Sequence, residues 1–242
     1  IMLKVFSDDI LGNGQITCSE YDIERALSWV VKNASTYNVV SVNLSLGGKN
    51  FDYDTYSNVS DEFLSLKNQG IFVCSSSGNS FKPYDSKQGV GWPASEPDVF
   101  SVGSVWTANQ GSLYLNNGAI DYSSSTDAIS SFSQRSTKML DIFAPGAKVY
   151  SSVTGAGNYA WYQGTSMASP QVAGFVCLAQ EAAQKNLGRK LTVDELSALI
   201  KDNADIIYDG DDENDNVVNT NANYKRINFK KTLEAIEDMG EK

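Results

Sequence analysis

Apolar residues along this chain fall into short blocks, and the blocks alternate between two spacings. Ile1 to Phe6 is a brief apolar run that reads as a buried strand, broken by Gly12-Asn13-Gly14. From Ser19 to Asn38, Ile23, Leu27, Val30, Val31 and Ala34 recur at helical spacing, with Ser19 placed to cap the helix. Val39 to Leu46 reads as a second strand ended by Gly47-Gly48, and Phe51 to Ser60 as a polar, tyrosine-rich loop. Asp61 to Asn68 is a second helix closed by Gly70, and Ile71 to Ser76 a third strand ended by Ser77-Gly78-Asn79. Val99 to Val105 is a fourth strand; Leu140 to Ala144 and Val149 to Val153 flank a Pro145-Gly146 turn. Thr165 to Gln184 is apolar on nearly all sides, which predicts a buried helix, and Thr192-Val193-Asp194-Glu195 is a capping box opening a last major helix.

Strands that alternate with helices predict an α/β fold with a mostly parallel sheet. Sites in such sheets lie beyond the carboxyl ends of the strands. Three suggestive segments fall there: Ser45-Leu46-Gly47-Gly48 after one strand, Ser77-Gly78-Asn79 after another, and Ser166 opening a helix.

A length of 242 residues suits one domain of ordinary size. The net charge of −10 offers no basic surface for phosphates, so nucleic acid is not an expected partner. No apolar run reaches the roughly 20 residues of a membrane span, and no signal peptide is visible. The chain opens on Ile1 and reads as a piece of something longer. Cys18, Cys74 and Cys177 are too few and too scattered for a disulfide framework or a zinc motif; Cys74 and Cys177 read as small core residues. Asp209-Gly210-Asp211-Asp212-Glu213-Asn214-Asp215-Asn216 reads as a solvated acidic loop, with a structural calcium ion as the alternative, although the register is not that of an EF-hand.

The chemistry concentrates in Gly164-Thr165-Ser166-Met167-Ala168-Ser169-Pro170, followed by Gln171-Val172-Ala173-Gly174. A serine among small residues at a helix N-terminus can hold its hydroxyl at a surface where negative charge is favoured. The competing reading is a helix cap. The segment resembles the active-site serine motif of the subtilisin-like serine proteases. Asn43-Leu44-Ser45-Leu46-Gly47-Gly48 resembles that family's substrate-lining strand, and Cys74-Ser75-Ser76-Ser77-Gly78-Asn79 its oxyanion segment. Ser131-Phe132-Ser133, Asp141-Ile142-Phe143-Ala144-Pro145-Gly146 and Tyr224-Lys225-Arg226-Ile227-Asn228 resemble its scaffold and closing turn, all in the family's order. The resemblance implies a three-layer fold that is incomplete at its N-terminal end. Residues 1–242 would be the C-terminal part of one peptidase domain.

It also implies roles. Ser166 would be the nucleophile, and Asn79 the side-chain donor to the oxyanion. Gly12, Asn13, Gly14, Ser45, Leu46 and Gly47 would flank an extended peptide or protein substrate. Ser77, Gly78, Ser80, Gly91 and Thr165 would complete the substrate site, with Gly91 at the floor of the pocket before the cut and Ser80 at its rim. No metal or cofactor is needed for the chemistry. The chain contains no histidine, and the family's aspartate-strand and His-Gly-Thr-His-type motifs are missing. A serine endopeptidase whose aspartate and histidine lie on an upstream segment or second chain is therefore expected. An inactive peptide-binding module and a peptide ligase or macrocyclase are the alternatives. Family habit implies export.

Overall fold

In the computed structural model, which describes residues 1–7, 17–155 and 157–241, a central sheet carries the architecture. Its strands are β1 (Ser41–Leu44), β3 (Phe72–Ser76), β5 (Phe100–Val105), β8 (Ile142–Pro145), β12 (Asn223–Arg226) and β11 (Asp205–Tyr208), side by side in that order. β1, β3, β5, β8 and β12 run parallel, and β11 closes one edge antiparallel to β12. The helices are α1 (Glu20–Tyr37), α2 (Ser60–Asn68), α3 (Thr165–Leu187), α4 (Val193–Asp202) and α5 (Phe229–Gly240). Three hairpin-like pairs complete it: β2 (Gly48–Phe51) with β4 (Val90–Trp92), β6 (Leu113–Tyr114) with β7 (Ile120–Asp121), and β9 (Val149–Ser152) with β10 (Tyr159–Tyr162).

The layering follows from strand alternation. Phe72, Cys74, Phe100, Val102, Ile142 and Ala144 point into a core with Ala168, Val172, Val176 and Ala179 of α3. Val73 points the other way and meets Ile23, Leu27 and Val30 of α1 and Phe63 and Leu66 of α2. The sheet is thus covered on both faces, as parallel sheets are. Helix ends follow their sequence signals. Ser19 caps α1 and Thr192 caps α4 through reciprocal capping boxes with Asp22 and Glu195.

Four expectations are corrected. Ile1 to Phe6 forms no strand. Leu3 and Val5 pack against the α1–α2 core while Met2, Lys4 and Phe6 face outward, so the period-two pattern is real. Among the described residues it pairs with no strand, and a strand exists only through its neighbour's hydrogen bonds. Cys74 is core, but Cys177 is exposed, since it lies on an outward stripe of α3. The long helix is therefore not buried all round.

The acidic segment is not simply a solvated loop. Asp209 is fully buried 2.9 Å from Arg135 Nε, itself fully buried. The Asp209 carboxylate also accepts from the Thr220 N–H and hydroxyl at 2.7 and 2.6 Å. Arg135 lies over the Phe81 ring and donates through Nη1 to the Ser130 carbonyl at 3.4 Å. The Glu213 carboxylate accepts from the Ile129 and Gly210 amides. Asp215 is pushed up to about 6, chiefly by burial, which the charges of Asp121 and Asp209 reinforce. The segment is thus an anchor between the core and β7.

Replacing Arg135 with Met would strand the Asp209 charge in the interior, and a loss of about 3–5 kcal/mol in unfolding free energy is expected by urea titration. Asp215 holds its proton more tightly in the folded state than in the unfolded one, where its pKa is near 3.9. Its ionisation therefore opposes folding, and stability falls as pH rises from about 4 through the folded value of about 6. Asp215→Asn should raise the melting temperature relative to the parent at pH 7 and lose that advantage at pH 4. Solvent screening at this half-buried position holds the gain to about 1 kcal/mol.

Candidate active site

The carboxyl ends of β1 and β3 and the N-terminus of α3 meet at one point. A parallel sheet delivers each strand's exit loop to the same edge, which brings together residues over a hundred positions apart. Pro170 shapes the start of α3. It has no N–H, so the Ser166 carbonyl loses the partner that an unbroken helix would give it. Ser45 Oγ donates to that carbonyl at 2.8 Å, and Ser45 in turn accepts from Asn43 Nδ2 at 2.9 Å. The Ser166 hydroxyl is half-buried and faces the Ser45 carbonyl at 3.5 Å. Ser169, one turn on, donates to Asn43 Oδ1 at 2.7 Å, a second tie from the helix to the exit of β1.

Asn79 is fixed through its oxygen. Its Oδ1 accepts from both the Thr165 amide and the Thr165 hydroxyl at 2.9 Å, and Thr165 Oγ1 accepts from the Gly78 N–H at 3.1 Å. Among the described residues, Asn79 Nδ2 makes no hydrogen bond, so the donor end of the amide is available. The Ser166 N–H belongs to the first turn of α3, where a helix has no acceptor of its own. Asn79 and Ser166 thus stand at one site, each carrying an N–H donor. Gly164 makes this closeness possible: at φ +149° its position is open to glycine, and a Cβ there would lie 3.1 Å from Asn79 Nδ2.

A cleft of about 560 Å³ runs from this point, lined by Leu46, Gly47, Gly78, Asn79, Ser80, Trp92, Gln134, Thr165 and Ser166 among others. Gly47, at φ +150°, leaves no room for a side chain, because a Cβ would strike the Trp92 carbonyl. The substrate residues expected from the sequence divide here. Leu46, Gly47, Gly78, Ser80 and Thr165 line the cleft, and Ser45 reaches it only through Ser166. The Ser77 side chain turns inward to donate to the Gln134 carbonyl at 2.7 Å. Gly91 lies in β4 and is not among the cleft-lining residues; a Cβ there would come 3.1 Å from the carbonyl of Gly48, which is. Gly12, Asn13 and Gly14 fall outside the described residues.

Gln134 was not singled out in the sequence. Its Nε2 donates to the Lys49 carbonyl at 3.0 Å and to Asn50 Oδ1 at 2.7 Å, and its backbone N–H donates to the Gly78 carbonyl at 2.9 Å. It therefore joins the two walls of the cleft. No local pattern marks such a residue; its partners come from distant segments. Asp211, Asp212 and Glu213 bring one carboxylate oxygen each within 4.8 Å of one another. Glu213 already has both oxygens engaged by backbone amides. No helix among the described residues is long and apolar enough to cross a membrane.

Ser45→Ala would leave the Ser166 carbonyl without its partner. A loss of about 1–2 kcal/mol in unfolding free energy is expected by denaturant titration, because a part-buried acceptor left unpaired costs more than the bond itself contributes.

The subtilase family (peptidase S8) matches residues 3–230. A subtilisin of Bacillus pumilus is 33% identical over 170 residues, covering 70% of this chain and 50% of that protein. An intracellular serine protease of Paenibacillus polymyxa is 30% identical over 177 residues, covering 72% of this chain and 47% of the other. The second name shows that export does not follow from such similarity alone. The chain spans about half, or less, of the length of the curated relatives it matches. In fold, it is similar to the structure of the prenylagaramide maturation protease PagA, with a TM-score of 0.68 and 19% identity over 96% of this chain and 71% of that one. With a family match over nearly its whole length and a serine, an asparagine and a cleft at the sheet's carboxyl edge, the chain belongs to the subtilase family.

Proposed function

We propose that residues 1–242 are the nucleophile-bearing, C-terminal part of a single peptidase domain that cleaves peptide bonds as a serine endopeptidase. The observation that carries this reading is that Ser166 and Asn79 line one cleft, with the Asn79 amide held there by its oxygen. A helix cap alone would not require an asparagine held by its oxygen with its donor end unengaged. In the reaction, a base takes the Ser166 proton as Oγ attacks the scissile carbonyl. The Asn79 Nδ2 and the Ser166 N–H stabilise the oxyanion, and the base returns its proton to the leaving amine. Water then releases the acyl group by the reverse sequence. No metal or cofactor enters these steps.

The base is not within this chain, which has no histidine. Two exposed features support a base supplied from outside the described residues. Among the described residues, β1 has a ladder partner only on its β3 side, so its outer edge is open. Next to it, Pro170, Gly174, Cys177 and Leu178 form an exposed stripe along α3 at helical spacing. Cys177 Sγ lies 3.7 Å from Ser41 Oγ of β1, so the stripe and the edge are continuous. A strand added parallel to β1 would end beside Ser45 and Ser166. A segment supplying an aspartate there, and a histidine over the α3 stripe, would complete the triad and cover both exposed features.

Ser166→Ala in the protein that contains this segment should abolish peptide hydrolysis, read with a chromogenic peptide; retained turnover would refute the nucleophile. Asn79→Ala should cost about 10²–10³-fold in kcat, the loss known for a subtilisin deprived of its own oxyanion asparagine. Verified histidine-free material should hydrolyse nothing, and rapid turnover by it would exclude the triad. Release of the acyl group to an added amine instead of water, seen as ligated product, would mark a ligase on the same machinery.

A further inference from the structure

We propose that Asn117, on the tip between β6 and β7, is a positioning residue for the oxyanion donor Asn79. This rests on the reading of Asn79 given above. Asn117 Nδ2 donates to the Asn79 backbone carbonyl at 2.7 Å. Its own amide is oriented from the other side, because Asn117 Oδ1 accepts from the Ala119 N–H at 3.1 Å. Asn79 is therefore gripped at two points: Thr165 holds the side-chain oxygen, and Asn117 holds the main chain. With Oδ1 fixed and the backbone fixed, the remaining freedom of Nδ2 is small. A donor of this kind contributes to catalysis only as far as it is aimed in advance at the charge that develops.

The grip has a rigid base. Asn216 fastens the tip: its Nδ2 donates to the Gly118 carbonyl at 2.9 Å, its Oδ1 accepts from the Ile120 N–H at 3.0 Å, and its N–H donates to the Ile120 carbonyl at 3.1 Å. The Asn216 carbonyl accepts from Lys82 Nζ at 2.7 Å, three residues after Asn79. One asparagine thus joins the tip to the segment that the tip grips. The same loop is held in the core by the buried Asp209 and Arg135. The whole arrangement connects the acidic segment to the active site through Asn117.

The role predicts an effect on the transition state and little on substrate binding. Asn117→Ala should lower kcat about 3- to 10-fold with KM unchanged within twofold. Asn117→Ser retains a turn-type acceptor for the Ala119 N–H but is too short to reach Asn79; it should lose as much and so excludes collapse of the tip as the cause. The deciding measurement is a double-mutant cycle with Asn79→Ala, in the form of the protein that hydrolyses peptide. If Asn117 acts through Asn79, its removal should cost nothing further once Asn79 is gone. An equal loss in both backgrounds, or full kcat in Asn117→Ala while Asn79→Ala is impaired, would overturn the positioning role. An unimpaired Asn79→Ala enzyme would instead overturn the assignment of Asn79, and the proposal with it.

Discussion

The clasp between Thr165 and Asn79 is where the fold becomes a site. Two hydrogen bonds of 2.9 Å from one residue to one amide oxygen tie the end of β3 to the first turn of α3. They fill the acceptor end of the amide and so decide which end faces the cleft. They also fix the start of α3 relative to the sheet, and with it the place of Ser166. Gly164 on one side and Gly78 on the other have positive φ, and a side chain at either would crowd Asn79 or Gln134. The backbone there serves the approach of the two groups.

The rest of the structure supports that point from two directions. From the β1 side, Ser45 and Asn43 satisfy groups that Pro170 and Ser169 present, so the irregular start of the helix has no orphaned carbonyl. From the far side, the acidic segment, Arg135, Asn216 and the β6–β7 tip form a polar brace. Burying an aspartate and an arginine is costly unless they are paired, and here Arg135 is also stacked on Phe81.

Much of the fold was legible in the chain itself. The helical period from Ile23 to Ala34 with the Ser19 cap gave α1 to within a residue, and the capping box at Thr192 gave the start of α4, although α5 and not α4 is the last helix. These signals are local, a matter of neighbours three or four residues apart. The same holds for the glycine- and serine-rich strand exits, which pointed to Ser45, Asn79 and Ser166. Where the chain misled, the cause was non-local. Ile1 to Phe6 has a strand's alternation but pairs with no strand among the described residues. Cys177 sits in an apolar sequence, yet the sheet covers only the other side of its helix.

The sequence by itself determined the alternation of the main strands and helices from α1 to α4, the family resemblance, the nucleophile and oxyanion candidates, and the lack of a histidine base. Each depends on residue type or on spacing along the chain. The tertiary structure alone decided that Ser77 points inward, that Gly91 packs against Gly48, and that Gln134 and Asn117 hold distant segments together. It also decided that Asp209 is a buried partner and not a solvated charge. The physical reason is common to all of these. A hydrogen bond or an ion pair is made where two groups meet in space, and a polar side chain carries no mark in sequence of the residue it will meet.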